Sequence, residues 1–543
     1  VPNQFASTDI RESRIDGWLR EHADSVALIA VGIGFLLRVR AASGTFLNPD
    51  ETLHFSLANQ TSFLSAYHAS LTLAHPPLLV LLLYFWRALG TSEFVLRLPS
   101  VIAGTVSCWV FYKWLKGLLG STSGVVGVIF MALLPPIVAL TSEVRQYSLL
   151  LLFISCAALL LERALAKNSA WVMLCSFVCL WPAMLSHYSA LLFAVAYGAY
   201  SLLRLIGQRP ARSVISAWIA GELGALALFL FLYRVQLSKL KDSALAEQAI
   251  SEWLRRSYFH AGQDNLLAFV FGRSFAVFQF IFGQLVVGDI AALLFVAGVV
   301  FLIRTRQQPD RRHPSPRQVG FFLVFPFALN CAFAVAGRYP YGGTRHCVFL
   351  AIFAIAGISF FLDVITRRRP SFAVALAVLI LTICYVFGFH HQPYMTREDQ
   401  SRRQMDHAMD FVRGKIPSGD PIFVDYQGNL MLSQYLCGQR PAVIGISDFQ
   451  MFQCAGHEII SAPPRMWMFT SQSFPKYWDE LVANYGLHPG RSVWVVQAGW
   501  GAGISADLQR KRGDLAPLES ESFGRNISVF KLMVGQGARS AAQ

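Results

Sequence analysis

Charge is scarce in this chain. Charged residues make up 14% of its 543 positions, against about 25% in soluble globular proteins. Acidic residues are the rarer half, 32 Asp and Glu beside 46 Lys and Arg, for a formal net charge of +14. The shortage excludes a wholly soluble enzyme, and it excludes a disordered chain, which combines low hydrophobicity with high charge. Cysteine is sparse too: nine residues in 543 cannot make a disulfide scaffold. Seven of them (Cys108, Cys156, Cys175, Cys179, Cys331, Cys347 and Cys384) lie in apolar runs, where a thiol acts as a small hydrophobe. Only 40 Gly are present, far from the one-third of a collagen-like fibre. What fills the sequence is hydrophobic: 54% of residues, with 43 Phe and 12 Trp. A polytopic membrane protein follows, and its basic excess suits membrane lipid rather than nucleic acid.

A membrane-spanning helix needs about 20 apolar residues, because its backbone must satisfy its own hydrogen bonds in hydrocarbon. Eleven such runs are present, near 25–45, 97–116, 122–140, 145–165, 169–187, 189–207, 213–233, 285–304, 319–337, 346–364 and 371–389. Residues 1–24 are polar and mixed in charge, so the first run is expected to be an anchor rather than a cleaved signal. Lys and Arg favour the cytoplasmic side. Placing Arg11, Arg14 and Arg20 inside also puts inside Lys113 and Lys116, Arg163 and Lys167, and Arg204, Arg209 and Arg212. The loop with Arg304, Arg306, Arg311, Arg312 and Arg317 and the triplet Arg367, Arg368 and Arg369 agree. The outer side then receives 41–96, turns near 141 and 187, the long loop 234–284, 338–345 and the C-terminal region. A bacterial inner membrane with a periplasmic C-terminal domain is expected. The apolar run at 76–89, PPLLVLLLYFWRAL, is short for a span and would reverse every later loop, so it is expected to lie in the outer interface.

The chain thus divides into a cytoplasmic segment 1–24, a transmembrane domain 25–389 and a soluble α/β domain 390–543. In the last, Met405, Ala408, Met409 and Val412 repeat with helical period, as do Trp478, Leu481, Val482 and Tyr485. IFVDY, PAVIGIS, SVWVVQAG and NISVFKLM read as strands. GWGAG at 499–503 does not complete a dinucleotide fingerprint, since position 504 is Ile, and reads as a glycine-rich loop. Cys437 and Cys454, both in the domain placed outside, are expected to form a disulfide.

Ionisable residues are costly in lipid and mark pathways or sites. Here they gather at the outer helix ends. Asp50 and Glu51 follow the first span. They read either as a favourably charged helix start or as two carboxylates with separate roles, a proton acceptor and a metal ligand or orienting group. His75 opens the short helix of HPPL, and Glu143 and Arg145 lie in the turn before the fourth span, free to bind phosphate or each other. For Glu93 and Arg97 in SEFVLRLPS the simplest reading is a mutual ion pair. Arg345 and His346 close the run RYPYGGTRH; topology disfavours Arg there, while phosphate suits its planar fork.

These elements in this order resemble the GT-C superfamily of membrane glycosyltransferases, in particular the bacterial group related to protein O-mannosyltransferases and lipid-A aminoarabinose and galacturonic acid transferases. The resemblance rests on Asp50-Glu51, HPPL (75–78), SEFVLRLPS (92–100), SEVRQYSLLL (142–151) and GGTRH (342–346), and covers most of 25–365. It implies a mainly α, GT-C-type helical bundle with a C-terminal α/β periplasmic domain. It also implies inverting transfer of a hexosyl or pentosyl group from a polyprenyl-phosphate donor to a lipid, glycan or protein acceptor on the outer face. In such a site Asp50 serves as base, and Arg345 with Arg145 or His346 holds phosphate. Glu51, His75 and Glu143 orient the acceptor or bind a divalent cation, Mg²⁺ or Mn²⁺. A polysaccharide polymerase or ligase shares the donor chemistry but concentrates its polar residues in a later loop. A secondary transporter calls for internal repeats, and none is evident.

Overall fold

The computed structural model describes residues 13–240, 250, 253–305, 313–388, 399–441, 443 and 447–535. Nine helices among them are long and apolar enough to cross a membrane: Ala23–Ala42, Glu93–Leu119, Tyr147–Lys167, Ser189–Gln208, Arg212–Leu240, Leu285–Arg304, Pro316–Val335, Arg345–Ile365 and Pro370–Phe387. The remaining two expected spans are shorter helices, Ala170–Ser186 and Ser121–Leu133. The second continues, after a break at Leu134, as Pro135–Leu140.

That break has a specific chemical cause. Pro135 and Pro136 have no N–H, so the carbonyls four residues earlier, those of Met131 and Ala132, lose their helical donors. Arg38, 0% exposed in the first span, supplies them instead. Its guanidinium donates to Ala132 O at 3.0 Å and Met131 O at 3.3 Å, and also to Gly34 O at 3.0 Å and Thr141 Oγ1 at 2.8 Å. A charge in the bundle interior is thus tolerated because it repairs a broken backbone ladder.

The basic loops that are described collect at one end of the bundle. Lys116 and Lys113 pair with Asp24 at 2.9 and 3.2 Å, Arg20 donates to Arg368 O at 2.7 Å, and Arg204 pairs with Glu162 at 3.0 Å. Arg11, Arg306, Arg311 and Arg312 lie outside the described residues. At the opposite end, the apolar run at 76–89 forms the helix Leu78–Trp86 and a short 3₁₀ turn. Nine helical residues reach about 14 Å, half a bilayer core, so it does not span. The stretch 234–284, read from sequence as a loop, contains the 17-residue helix Leu266–Phe282. Its C-cap Gly283 packs on Pro136, and Tyr341 near its middle bonds Ser274 at 2.8 Å. These contacts join the helix to the segments Pro135–Leu140 and 338–345.

The C-terminal region carries a six-stranded sheet: β1 Ile422–Val424, β2 Gln450–Cys454, β3 His457–Ser461, β4 Ser492–Ala498, β5 Glu519–Ser522 and β6 Ile527–Met533. Their order is β2-β3-β1-β4-β6-β5. β1 runs parallel to β3 and β4, and the outer pairings are antiparallel. β1, β4 and β6 match strands expected from sequence. The run PAVIGIS falls largely outside the described residues, and its described positions 441, 443 and 447 carry no strand. The stripe Met405, Ala408, Met409 and Val412 is buried on helix Arg402–Lys415. Cys437 and Cys454 are disulfide-bonded with Cα atoms 5.4 Å apart.

Candidate active site

The site is built on a short helix, Pro49–Ala58, that follows the first span. Asn48 caps it by accepting from Glu51 N at 3.0 Å, while Glu51 reaches back to Asn48 N at 2.9 Å, a complete capping box with Pro at the first turn. The two neighbouring carboxylates consequently diverge. Glu51 turns inward and is 0% exposed. Its Oε1 accepts from Arg97 Nε at 2.7 Å and Val144 N at 2.8 Å, and its Oε2 from Arg97 Nη2 at 2.7 Å. The remaining Arg97 donors hold Ala42 O, Thr45 and Phe46 O at 2.7–3.1 Å. Arg97 is therefore not the partner of Glu93, which pairs with Arg402 instead.

Asp50 turns the other way. Its Oδ2 meets both Arg145 and, at 2.8 Å, Arg345. Arg145 is 2% exposed in its side chain and Arg345 25%, so this charge cluster opens at the mouth of the bundle. Burial pushes the Asp50 carboxyl up, but Arg145 and then Arg345 outweigh it and hold the group at about 2. Glu143 makes no comparable pair among the described residues. Burial, then the charge of Glu51, raises its pKa. Sequence alone left Arg145 free to pair with Glu143; it and Arg345 both take Asp50.

Around this cluster stand four imidazoles. Ring centroids lie 6.0 Å apart for His54 and His75, 5.3 Å for His75 and His187, 6.2 Å for His75 and His346, and 5.9 Å for His187 and His346. The His75 turn is held by Gln236, buried in a π-helical turn Tyr233–Leu237. Its amide donates to Leu73 O at 2.7 Å and His75 O at 2.9 Å. Sequence reading anticipated Asp50, His75, Arg145, Arg345 and His346, which do come together. It missed Gln236 and His54; for His54 the one available signal was its spacing four residues after Asp50 on one helix.

The expected cation ligands do not converge. Among the described residues no three His, Cys, Asp or Glu side chains are arranged to hold a metal ion. Glu51 in particular spends both oxygens on Arg97, Asn48 and Val144. Of the expected ligands Glu51, His75 and Glu143, Glu51 thus has both carboxylate oxygens engaged within the protein.

The C-terminal region grips this helix directly. Phe46 N donates to Gln400 O at 3.0 Å, Leu47 N to the Tyr435 hydroxyl at 2.7 Å, and Asn59 to Gln439 O at 2.8 Å. The GWGAG loop packs here as well. Gly499 has φ +132°, and a Cβ on it would stand 2.6 Å from Pro49 Cγ. Gly499→Ala is expected to push the acidic helix out of place. A misplacement near 1 Å costs about 10²-fold in turnover, to be read in a transfer assay beside an unchanged far-ultraviolet helical signal.

Residues 74–233 match the family described as dolichyl-phosphate-mannose-protein mannosyltransferase, a stretch under a third of the chain. No curated protein matches it. Among solved structures, apo ArnT from Cupriavidus metallidurans is similar with a TM-score of 0.51, at 12% identity over 96% of this chain and 98% of that one. ArnT bound to undecaprenyl phosphate gives 0.49, with 12% identity over 95% and 98%. The Archaeoglobus fulgidus oligosaccharyltransferase AglB, in complex with an inhibitory peptide and a dolichol-phosphate, gives 0.47, with 12% identity over 88% and 70%. At this identity the likeness concerns architecture. The chain is a multi-pass membrane protein with the GT-C glycosyltransferase fold.

Proposed function

We propose that the protein is a membrane glycosyltransferase that moves a hexosyl or pentosyl group, with inversion, from a polyprenyl-phosphate donor to a lipid, glycan or protein acceptor. The observation that carries this reading is Asp50 clasped by two arginines at the mouth of a helical bundle. It is a carboxylate base and a phosphate cradle in one cluster. The motifs and the family match over 74–233 support the same class. In this reading the basic end of the bundle faces the cytoplasm of a bacterial inner membrane, and the C-terminal α/β domain from about 390 is periplasmic.

A lipid-linked phosphate arrives from the bilayer and competes with Asp50 for Arg345 and Arg145. Guanidinium forks hold two phosphate oxygens each. As the phosphate takes them over, Asp50 loses the charges that hold it near 2, and its proton affinity rises. Donor binding thus arms the base. Asp50 then draws the proton from an acceptor hydroxyl as that oxygen attacks the anomeric carbon. The arginines stabilise the charge growing on the departing phosphate through an oxocarbenium-like state.

The direct test is purified protein with polyprenyl-phosphoryl sugars, read as polyprenyl phosphate released in proportion to acceptor modified. Within it, Arg345→Lys is expected to weaken donor use by tenfold or more, since a point charge cannot imitate the fork, and Arg345→Ala more still. Normal donor affinity in a stably folded Arg345→Ala protein overturns the phosphate role.

A further inference from the structure

His54 is a buried titratable group, 3% exposed, that the scheme above leaves idle. It sits one helical turn beyond Asp50, and its Nδ1 lies 2.7 Å from the backbone oxygen of Asp50. A carbonyl can only accept, so Nδ1 carries the proton of the neutral ring and Nε2 presents its lone pair. That Nε2 is buried and has no hydrogen-bond partner. An unsatisfied polar atom in such a place costs stability, and here it is a base beside the group that must shed a proton. The other charged or titratable groups facing the ring are Asp50, Arg145, Arg345 and His75.

We propose that His54 is the proton acceptor of the transfer step, receiving at Nε2 the acceptor-hydroxyl proton that Asp50 first abstracts. The inference rests on the glycosyl-transfer reading and deepens it. The acceptor O–H bond breaks and its oxygen bonds the anomeric carbon. The bond from that carbon to the phosphate oxygen breaks, and its electron pair leaves with the polyprenyl phosphate. The proton passes through Asp50 to His54, which becomes an imidazolium. Burial, then the charge of Arg145, hold His54 down at about 4. A phosphate that draws Arg145 and Arg345 off Asp50 offsets their charge at the ring as well, so the basicity of His54 rises with that of Asp50, and its unengaged Nε2 offers the proton a second base one helical turn away. His75, 6.0 Å from His54 between centroids, is half-buried where His54 is buried, and His346 beyond it is half-buried as well. The imidazoles thus lead from the interior to the open side, where the proton is lost to water.

The test uses the full-length protein with a polyprenyl-phosphoryl sugar donor. His54→Asn keeps an amide that can donate to Asp50 O but removes the proton acceptor. It is expected to bind polyprenyl phosphate as the wild type does and to lose on the order of 10²–10⁴-fold in turnover. His54→Ala is expected to regain turnover on addition of imidazole, increasingly as pH rises and more imidazole is neutral. Turnover of His54→Asn within about threefold of wild type overturns the proposal. So does joint loss of binding and turnover in both variants without imidazole rescue, which assigns His54 a structural role. Failure of the wild-type protein to release polyprenyl phosphate from any such donor removes the parent reading, and this one with it. Wild-type release with an unaffected His54→Asn removes this one alone.

Discussion

Asp50→Asn is expected to abolish transfer while polyprenyl phosphate binds more tightly than to the wild type. The substitution keeps the size of the side chain and removes the proton acceptor, a loss of roughly 10²–10⁴-fold in turnover for a general base. It also removes the anion that competes with phosphate for Arg145 and Arg345. Arg145 is then left buried without a counter-charge, a costly state that a bound phosphate relieves. Added polyprenyl phosphate should accordingly raise the melting temperature of the variant more than that of the wild type. The opposed changes in turnover and affinity distinguish a base held by its substrate's site from a carboxylate that merely closes the bundle. Transfer within threefold of wild type ends the assignment. Restored turnover in a variant with weakened phosphate binding would contradict the competition.

Arg97→Met is expected to be the most destabilising single change near the site, at about 3–5 kcal/mol, because it leaves a buried carboxylate unpaired. Glu51 is 0% exposed and takes two 2.7 Å bonds from Arg97, whose other donors tie down the backbone between Ala42 and Phe46. Thermal unfolding in detergent or nanodiscs reads the loss. Glu51→Gln should cost less, since its amide oxygen still accepts and Arg97 keeps the carbonyls of Ala42, Thr45 and Phe46 as acceptors. Added Mn²⁺ should restore neither variant. Recovery of Glu51→Gln by Mn²⁺ would return Glu51 to the role of a metal ligand and sink the positioning role given it here.

Much of the membrane region was legible beforehand, because twenty apolar residues bounded by charge have one solution in a bilayer. Nine of the eleven runs appear as full-length helices. The run at 122–140 did not read as broken, since hydropathy does not register that Pro135 and Pro136 strip the donors from Met131 and Ala132. Nor does it show that Arg38, nearly a hundred positions away, replaces them. Helix Leu266–Phe282 fell within a stretch read as loop because its 17 residues are short of the roughly 20 apolar residues that mark a span.

The same division runs through the site. Residue order alone placed Asp50, His75, Arg145, Arg345 and His346 at one end of the bundle, because charge is expelled from hydrocarbon to the helix ends. It could not say which charges meet. Asp50 and Glu51 are neighbours in sequence, and a capping box sends their carboxylates to different arginines, one in the core and one at the mouth. That choice depends on where helices separated by tens to hundreds of residues happen to pack. It depends too on the C-terminal region, where Gly499 and Tyr435 bear on the acidic helix. Composition and periodicity decide where polar groups can live, since solvation acts on each residue separately. Only tertiary packing decides which of them pair, since a Coulomb contact needs two side chains at one point in space.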